Sequence, residues 1–327
     1  MFSWLLRRIA TSCLLVFLLL SAVFFVVRLA PGDPLDQVVS EELNSADRDL
    51  IRQRLGLDGT LFQQYLRWLR GGITGDLGDS LRQQRPVAAI LTEAIGPTLL
   101  LTVSAYIVHL LMALGAGLVM AYRPGSLGDK ALQGVGLTLY SLPSFWLGLM
   151  LIMLVSRLLG WLPPGGMHAP DAAFLSWGER QLDLLRHLIL PVAALALGSF
   201  MGTARYLRST LLEVLEQDYI LAARSRGIPE SRILLVHALR NGLLPVITLV
   251  GLSLPFLLGG AAVTEVVFGW PGMGRVTIEA IWARDYPVIM ATTLVAAVTV
   301  VAGSLLADIL YMWADPRVRL TGRRVNP

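Results

Sequence analysis

Six long apolar runs, separated by polar intervals, set the plan of this chain. They cover Ile9–Val27, Pro97–Tyr122, Ala131–Leu159 with Pro143 inside, His187–Ala204, Leu243–Val263 with Pro245 and Pro255 inside, and Pro287–Trp313. Each is long enough to be read as a helix crossing a bilayer. Interior prolines do not exclude that reading, because neighbouring helices or water can satisfy the freed carbonyls. The first run follows Arg7 and Arg8. It is longer than the apolar region of a signal peptide and ends at Arg28-Leu29-Ala30-Pro31, a poor cleavage site, so a retained span is expected.

The polar intervals carry their own helical signals. "SADRDLIRQRLG" reads as a short helix with Ser45 as N-cap and Gly56 as stop. "TLFQQYLRWLRGG" reads as another, with Thr60 and Gln63 forming a capping box and Phe62, Tyr65, Leu66 and Leu69 on one face. That face is expected to lie on other external loops or on the membrane interface.

Arginine placement adds a direction. Arg7/Arg8, Arg123 with Lys130, the group Arg205, Arg208, Arg224, Arg226, Arg232 and Arg240, and the tail Arg317, Arg319, Arg323 and Arg324 all fall on one side if the runs are six spans. That side is the cytoplasm by the positive-inside rule, so both termini are expected there. Residues 30–96, about 160–186 and about 264–286 then lie outside.

Composition agrees. Of 327 residues 55% are hydrophobic and 15% charged, too little charge for a soluble domain of this size. The net charge of +4 comes from short arginine clusters at the ends of apolar runs and does not suggest nucleic acid. Cys13 is the lone cysteine, and His109, His168, His187 and His237 are far apart in sequence, so no local metal-ligand spacing exists.

One interval asks for a function: "DYILAARSRGIPESRILLVHALRNGLLP", residues 218–245. Leu211, Leu215 and Tyr219 stand at four-residue steps, which predicts a helix running through to Arg226. Gly227 is its stop, Pro229 a first helical position, and Glu230 a first-turn acid of a second helix that ends at Asn241-Gly242. Most cytoplasmic loops are simple connectors, but a connector needs only a few residues. A helix, a sharp break and a second helix give the sharper reading, a rigid docking knob for a cytoplasmic partner; the plain reading, a solvated connector between two spans, stands beside it on the residues alone.

Outside, "FGWPGMGR", Phe268 to Arg275, combines glycines and a proline around Trp270 in a tight turn with an interfacial aromatic. Asp308, His109 and Glu265 are ionisable groups in or beside spans and are read as structural ahead of any transport chemistry. No Gly-x-Ser-x-Gly, His-Glu-x-x-His or phosphate-binding Gly-x-x-x-x-Gly-Lys-Ser/Thr occurs, so no enzyme chemistry and no cofactor is expected.

Asp218 to Gly227 resembles the Glu-Ala-Ala loop of ATP-binding-cassette importer permeases, with Leu221 where that pattern has glutamate and with Ala222, Ala223 and Gly227 kept. The spacing to Leu244-Pro245 resembles the branch handling dipeptides, oligopeptides and nickel. "RLAPGDP", "GDLGDSL", "SLPSFWLGLML", "TEVVFGWPGMGR" and "RDYPVI" agree, in order, over nearly the whole chain. The resemblance implies an all-α polytopic membrane protein with six transmembrane helices, the type I importer fold, in the bacterial inner membrane. Its parts would be residues 1–95, a first span with an external segment; 96–313, the permease domain; and 314–327, a cytoplasmic tail. It implies four kinds of partner: a second homologous permease, two cytoplasmic ATP-binding subunits, an external solute-binding protein and membrane lipid. Asp218, Tyr219, Ala222, Ala223, Arg224, Gly227 and Pro229 would couple to the ATP-binding subunits, while Trp270, Pro271, Gly272, Gly274 and Arg275 would form a re-entrant element at the external mouth. The solute implied is a di- or oligopeptide, with nickel or a metal–chelator complex as the alternative. A self-sufficient secondary transporter is the rival class; it would show inverted repeats and midplane ionisable groups, and neither is evident.

Overall fold

A computed structural model describes residues 2–29, 58–243, 246, 249 and 261–314. The proposed Ser45–Gly56 helix, Leu244-Pro245 and most of the fifth apolar run lie outside the described residues, as does the side chain of Asp308. The described secondary structure is helical: α1 (Phe2–Leu29), α2 (Leu61–Thr74), α3 (Val87–Tyr122), α4 (Leu127–Ser141), α5 (Ser144–Leu151), α6 (Trp177–Leu197), α7 (Phe200–Leu215), α8 (Asp218–Ser225), α9 (Glu230–Arg232), α10 (Ala262–Val267), α11 (Met273–Trp282) and α12 (Tyr286–Ala314). Among the described residues three segments are long and apolar enough to cross a membrane, Leu6–Leu29, Val87–Tyr122 and Tyr286–Leu305, and two bent helix pairs qualify when each is taken as one span.

Both bends fall inside runs read from the sequence as single spans. Leu127–Ser141 and Ser144–Leu158 meet at 104°. Pro143 is the cause: its ring pushes the preceding residue out of the helical region, and Leu142 sits at φ −80°, ψ 138°. Beyond α5 the helix widens into a π turn, Ile152–Leu158. The second pair, Trp177–Leu197 and Phe200–Leu215, bends by 50° at Gly198-Ser199. It starts ten residues before the apolar run, because the Glu179 carboxylate accepts from both the backbone N–H (3.0 Å) and the hydroxyl (2.7 Å) of Ser176. Helix α3 likewise begins at Val87, well ahead of Pro97, because Val87, Ile90, Leu91 and Ala94 repeat at helical spacing and are all buried.

The chain forms two compact units. The first comprises residues 1–98 and 271–301. Its core joins the first turns of α3 to α11 and the start of α12 through Val87, Ile90, Met273, Ala280, Val288 and Ile289. Buried Asp285 ties the loop before α3 to this core, accepting from Ser80 Oγ (2.5 Å) and from the backbone N–H groups of Leu81 (3.1 Å) and Arg82 (3.2 Å). Helix α2 has the expected capping box: Gln63 N–H donates to Thr60 Oγ1 (3.3 Å) and Thr60 N–H to Gln63 Oε1 (3.0 Å). Its packing face differs from the expected one. Tyr65 and Trp68 meet Phe24 of α1, with ring centroids 5.4 and 5.5 Å away, whereas Phe62 and Leu66 are exposed. The aromatic rings of α1 decide which side of α2 turns inward.

The second unit comprises residues 99–270 and 302–327. Close helix approach is made by glycine: a Cβ on Gly136 of α4 would overlap the Met201 side chain of α7, and one on Gly117 of α3 would lie 2.9 Å from Leu207 Cδ2. Asp129, 1% exposed, is the polar node of this unit. It accepts from Gly125 N–H (2.8 Å), Gln133 Nε2 (2.6 Å), and Arg208 Nε (3.2 Å) and Nη2 (2.9 Å). The turn before α4 is thereby locked to the second half of α7.

Candidate functional site

Residues 216–243 build a two-helix corner on the end of α7. Helix α7 ends at Leu215, and Glu216-Gln217 turn the chain before α8 starts at Asp218. The continuous helix expected from Leu211 to Arg226 is therefore broken, and the turn takes Tyr219 off the face shared by Leu211 and Leu215. Those leucines are buried; Tyr219 is 45% exposed, and its hydroxyl oxygen accepts from Asn241 Nδ2 at 2.7 Å.

Eight residues are too few for a helix that stands alone. α8 stands because Ile220 and Ala223 enter a core with Leu207, Leu211, Leu215, Ile233, Leu234 and Ala238. Complete burial of Ile220 contributes about 1.5–3 kcal/mol. Asp218 in the first turn and Arg224 in the last complement the helix dipole.

Gly227 ends α8 as expected. At φ 76° it occupies the left-handed region, its N–H donates to the Arg224 carbonyl (2.9 Å), and Ile228 N–H donates to the Ala223 carbonyl (3.3 Å). This pair of bonds is a Schellman motif, and Ile228 packs in the same core as Ala223. Pro229 is the cap rather than the first helical residue: at ψ 145° it is extended, and helical residues begin at Glu230. The following helix passes from α9 through a π turn, Ile233–Ala238, and continues to residue 243 instead of stopping at Asn241-Gly242. Gly242 is buried, and a Cβ there would lie 2.7 Å from Leu211 Cδ2, so this glycine serves helix contact and not termination.

Arg224 and Glu230 clamp the break. Arg224 Nε donates to Glu230 Oε2 (3.1 Å) and Nη2 to Oε1 (2.5 Å). The guanidinium holds the Glu230 carboxyl below its usual range, and the carboxylate raises the Arg224 guanidinium in turn. The sequence names both residues, Arg224 at the tip and Glu230 in the first turn of the next helix, but does not pair them. A bidentate fork between two helices needs their relative placement, which spacing alone does not state.

The result is an exposed platform. Asp218, Tyr219, Leu221, Ala222, Arg224, Arg226, Gly227 and Pro229 present surface, while Ala223 packs inward. Ala222 and Ala223, adjacent in sequence, thus have different jobs. The platform is apolar at its centre, with Leu221 52% exposed, and charged at its rim.

The second sequence candidate divides. Trp270 is fully buried against Leu101, Ala105, Leu188 and Val192, so it is a core residue and not an interfacial anchor. Its N–H donates to the Glu265 carbonyl (2.8 Å) after a turn in which Gly269 has φ 62°. Separately, Gly272 and Gly274 are buried at the start of α11, Met273 N–H donates to Thr98 Oγ1 (2.8 Å), and Arg275 Nε donates to Glu279 Oε1 (2.7 Å). Pro271 is exposed.

Two histidines remote in sequence meet on one acid. The Asp183 carboxylate meets His168 Nδ1 at 3.0 Å, and His187 Nδ1 hydrogen-bonds the Asp183 backbone carbonyl at 2.9 Å with the carboxylate 3.1 Å away. His109 bridges Ser199 Oγ (2.8 Å) and Thr203 Oγ1 (3.0 Å), and Glu265 is fully buried. Among the described residues no group of His, Cys, Asp and Glu has the arrangement of a metal site.

Comparison with known proteins gives a concordant picture. Residues 113–320 match the family described as binding-protein-dependent transport system inner membrane component, and residues 1–102 match the N-terminal region of such membrane components. The chain is 40% identical over 319 residues to the oligopeptide transport system permease protein AppB of Bacillus subtilis, covering 97% of this chain and 99% of the relative. It is 39% identical over 315 residues to the dipeptide transport system permease protein DppB of Escherichia coli K12, covering 90% and 92%. In structure it resembles the inward-facing MetNI methionine ABC transporter with a TM-score of 0.50, over 71% of this chain and 95% of that one, at 21% identity.

Proposed function

Given that the chain belongs to the family of binding-protein-dependent transport system inner membrane components, we propose that it is one permease half of an ATP-driven importer for di- or oligopeptides. A second homologous permease completes the pathway, two cytoplasmic ATP-binding subunits drive it, and an external solute-binding protein delivers the peptide. Both termini face the cytoplasm. The peptide class is supported by the oligopeptide and dipeptide systems to which the relatives belong.

The observation that carries the coupling role is the platform of α8. An eight-residue helix, held from below by Ile220 and Ala223, stopped by Gly227 and clamped by Arg224–Glu230, can transmit a push without bending. Its exposed face, Tyr219, Leu221, Ala222 and Arg226, seats in the ATP-binding partner. Partner movement on ATP binding then turns α7 and the spans above it, shifting the population between inward- and outward-open states. By the same topology, the turn from Gly269 to Arg275 lies at the external mouth.

The test is purification of the tagged chain from its native membrane in gentle detergent, with mass spectrometry of its companions and ATP-dependent peptide uptake. Wild type is expected to bring down the ATP-binding subunits. Ala222→Glu, which alters only the exposed face, and Gly227→Asp, which strains the stop, are expected to lose them. Retention of partner and uptake by both variants would sink the coupling assignment.

A further inference from the structure

Helices α4 and α7 face each other across a groove of about 450 Å³, within the size range of small-molecule sites. Its walls are two stripes at helical spacing. On α7, Gly202, Arg205, Tyr206 and Ser209 stand at i, i+3, i+4 and i+7 and are exposed. On α4, Gln133, Leu137 and Tyr140 stand at i, i+4 and i+7. Met201 of α7 also lines the groove, packed on Gly136 of α4, whereas Ala204, Leu207 and Leu211 do not line it and are buried. By the arginine placement above, Arg205, Tyr206 and Ser209 follow the fourth apolar run on its cytoplasmic side, so the groove opens toward water at the inner end of these helices and not toward lipid.

The groove has a defined electrostatic character. Of its two arginines, Arg208 is consumed by Asp129 through two hydrogen bonds. Arg205 is exposed, and among the described residues no carboxylate pairs with it. Its guanidinium fork matches a carboxylate in geometry. Tyr140, 53% exposed, and Tyr206, 46% exposed, flank it with flat surface and hydroxyl groups. Gly202 leaves the groove open beside Tyr140: a Cβ there would lie 3.5 Å from Tyr140 Cε2.

We infer that this groove is a peptide-binding vestibule of the translocation pathway, in which Arg205 takes the carboxylate of the passing peptide and Tyr140 and Tyr206 hold its side chains. The inference rests on the importer reading above and adds the residues that touch the solute. Arg208, locked to Asp129, keeps α4 and α7 at the spacing the groove requires.

The experiment uses the full complex in liposomes, with a photoreactive phenylalanine analogue at position 140 or 206 and a labelled dipeptide. ATP-dependent uptake of the dipeptide by the wild-type complex is checked first; its absence overturns the importer reading itself. With uptake established, illumination during turnover is expected to label the peptide from both positions and not from position 111, which is exposed on α3. Arg205→Gln is expected to lower the adduct yield about tenfold or more, as for loss of a charge-assisted hydrogen bond. Arg205→Lys keeps most of the yield, and the C-terminally amidated dipeptide labels poorly in wild type. Adducts with a second permease and none with peptide would make the groove a subunit interface and overturn the vestibule. Equal yields for Arg205→Gln and wild type, in complexes of unchanged composition, would overturn the carboxylate role.

Discussion

Removing Arg208 should destabilise the second unit more than removing its partner Asp129. The asymmetry follows from burial: the Asp129 side chain is 1% exposed and that of Arg208 24%. Arg208→Ala strands a carboxylate that cannot reach water and keeps only the Gly125 N–H and the Gln133 amide. Breaking a buried pair from one side in this way costs about 3–5 kcal/mol. Asp129→Ala instead leaves a guanidinium that can swing to solvent, plus two donors that lose an acceptor, so its cost is nearer the ~1–3 kcal/mol of an unmet buried polar group. The double variant removes the stranded charge and should cost less than the sum, with a coupling of about 2 kcal/mol or more, toward the upper end for residues in contact. The assay is a double-mutant cycle on equilibrium unfolding in mixed micelles, followed by tryptophan fluorescence. A coupling within about 0.5 kcal/mol of zero, or a larger loss for Asp129→Ala than for Arg208→Ala, would refute the argument.

Two further expectations concern the other polar ties. Glu230 has its carboxyl depressed by Arg224, so the clamp stabilises the break above the unfolded-state value near 4.5 and is lost as pH falls through the lower folded value. Both partners are about 40% exposed, which limits the contribution to roughly 1 kcal/mol or less. Protease nicking at 224–230 should therefore stay flat from pH 7 to the unfolded-state value, rise in more acidic solution, and be independent of pH in Glu230→Gln; a wild-type profile as flat as the variant's would remove the clamp from the account. In the first unit, Asp285→Ala strands the buried N–H of Leu81, at about 1–3 kcal/mol, and frees that of Arg82, which is exposed and can turn to water. Amide exchange at 81 and 82 should accelerate far more than exchange in α11, and equal protection in both proteins would show the loop to be held by other contacts.

The membrane class, the helical fold and the family were legible from residue order alone. Lipid admits few backbone solutions, so long apolar runs with arginines at their ends carry most of that information. Short-range devices were legible too, because their causes lie within a few residues. The Thr60–Gln63 box and the left-handed stop at Gly227 formed where the local pattern placed them. Orientation was not legible. Around a bilayer a helix is apolar on the lipid side and on the protein side, so hydrophobic period does not say which face turns inward. Nor do local rules foresee long-range packing: Trp270 read as an interfacial aromatic and is buried, the rings of α1 turn Tyr65 inward and leave Phe62 and Leu66 outside, and Gly242 read as a stop and is a helix contact. The ties that fix the units span long distances along the chain: 79 residues between Asp129 and Arg208, and 205 between Ser80 and Asp285. Residue order determined that this chain lives in a membrane, where α2 is capped and where α8 stops. Only the tertiary structure decided which polar groups meet and which face of α8 stays exposed, because those depend on the path of the chain between residues that no local rule connects.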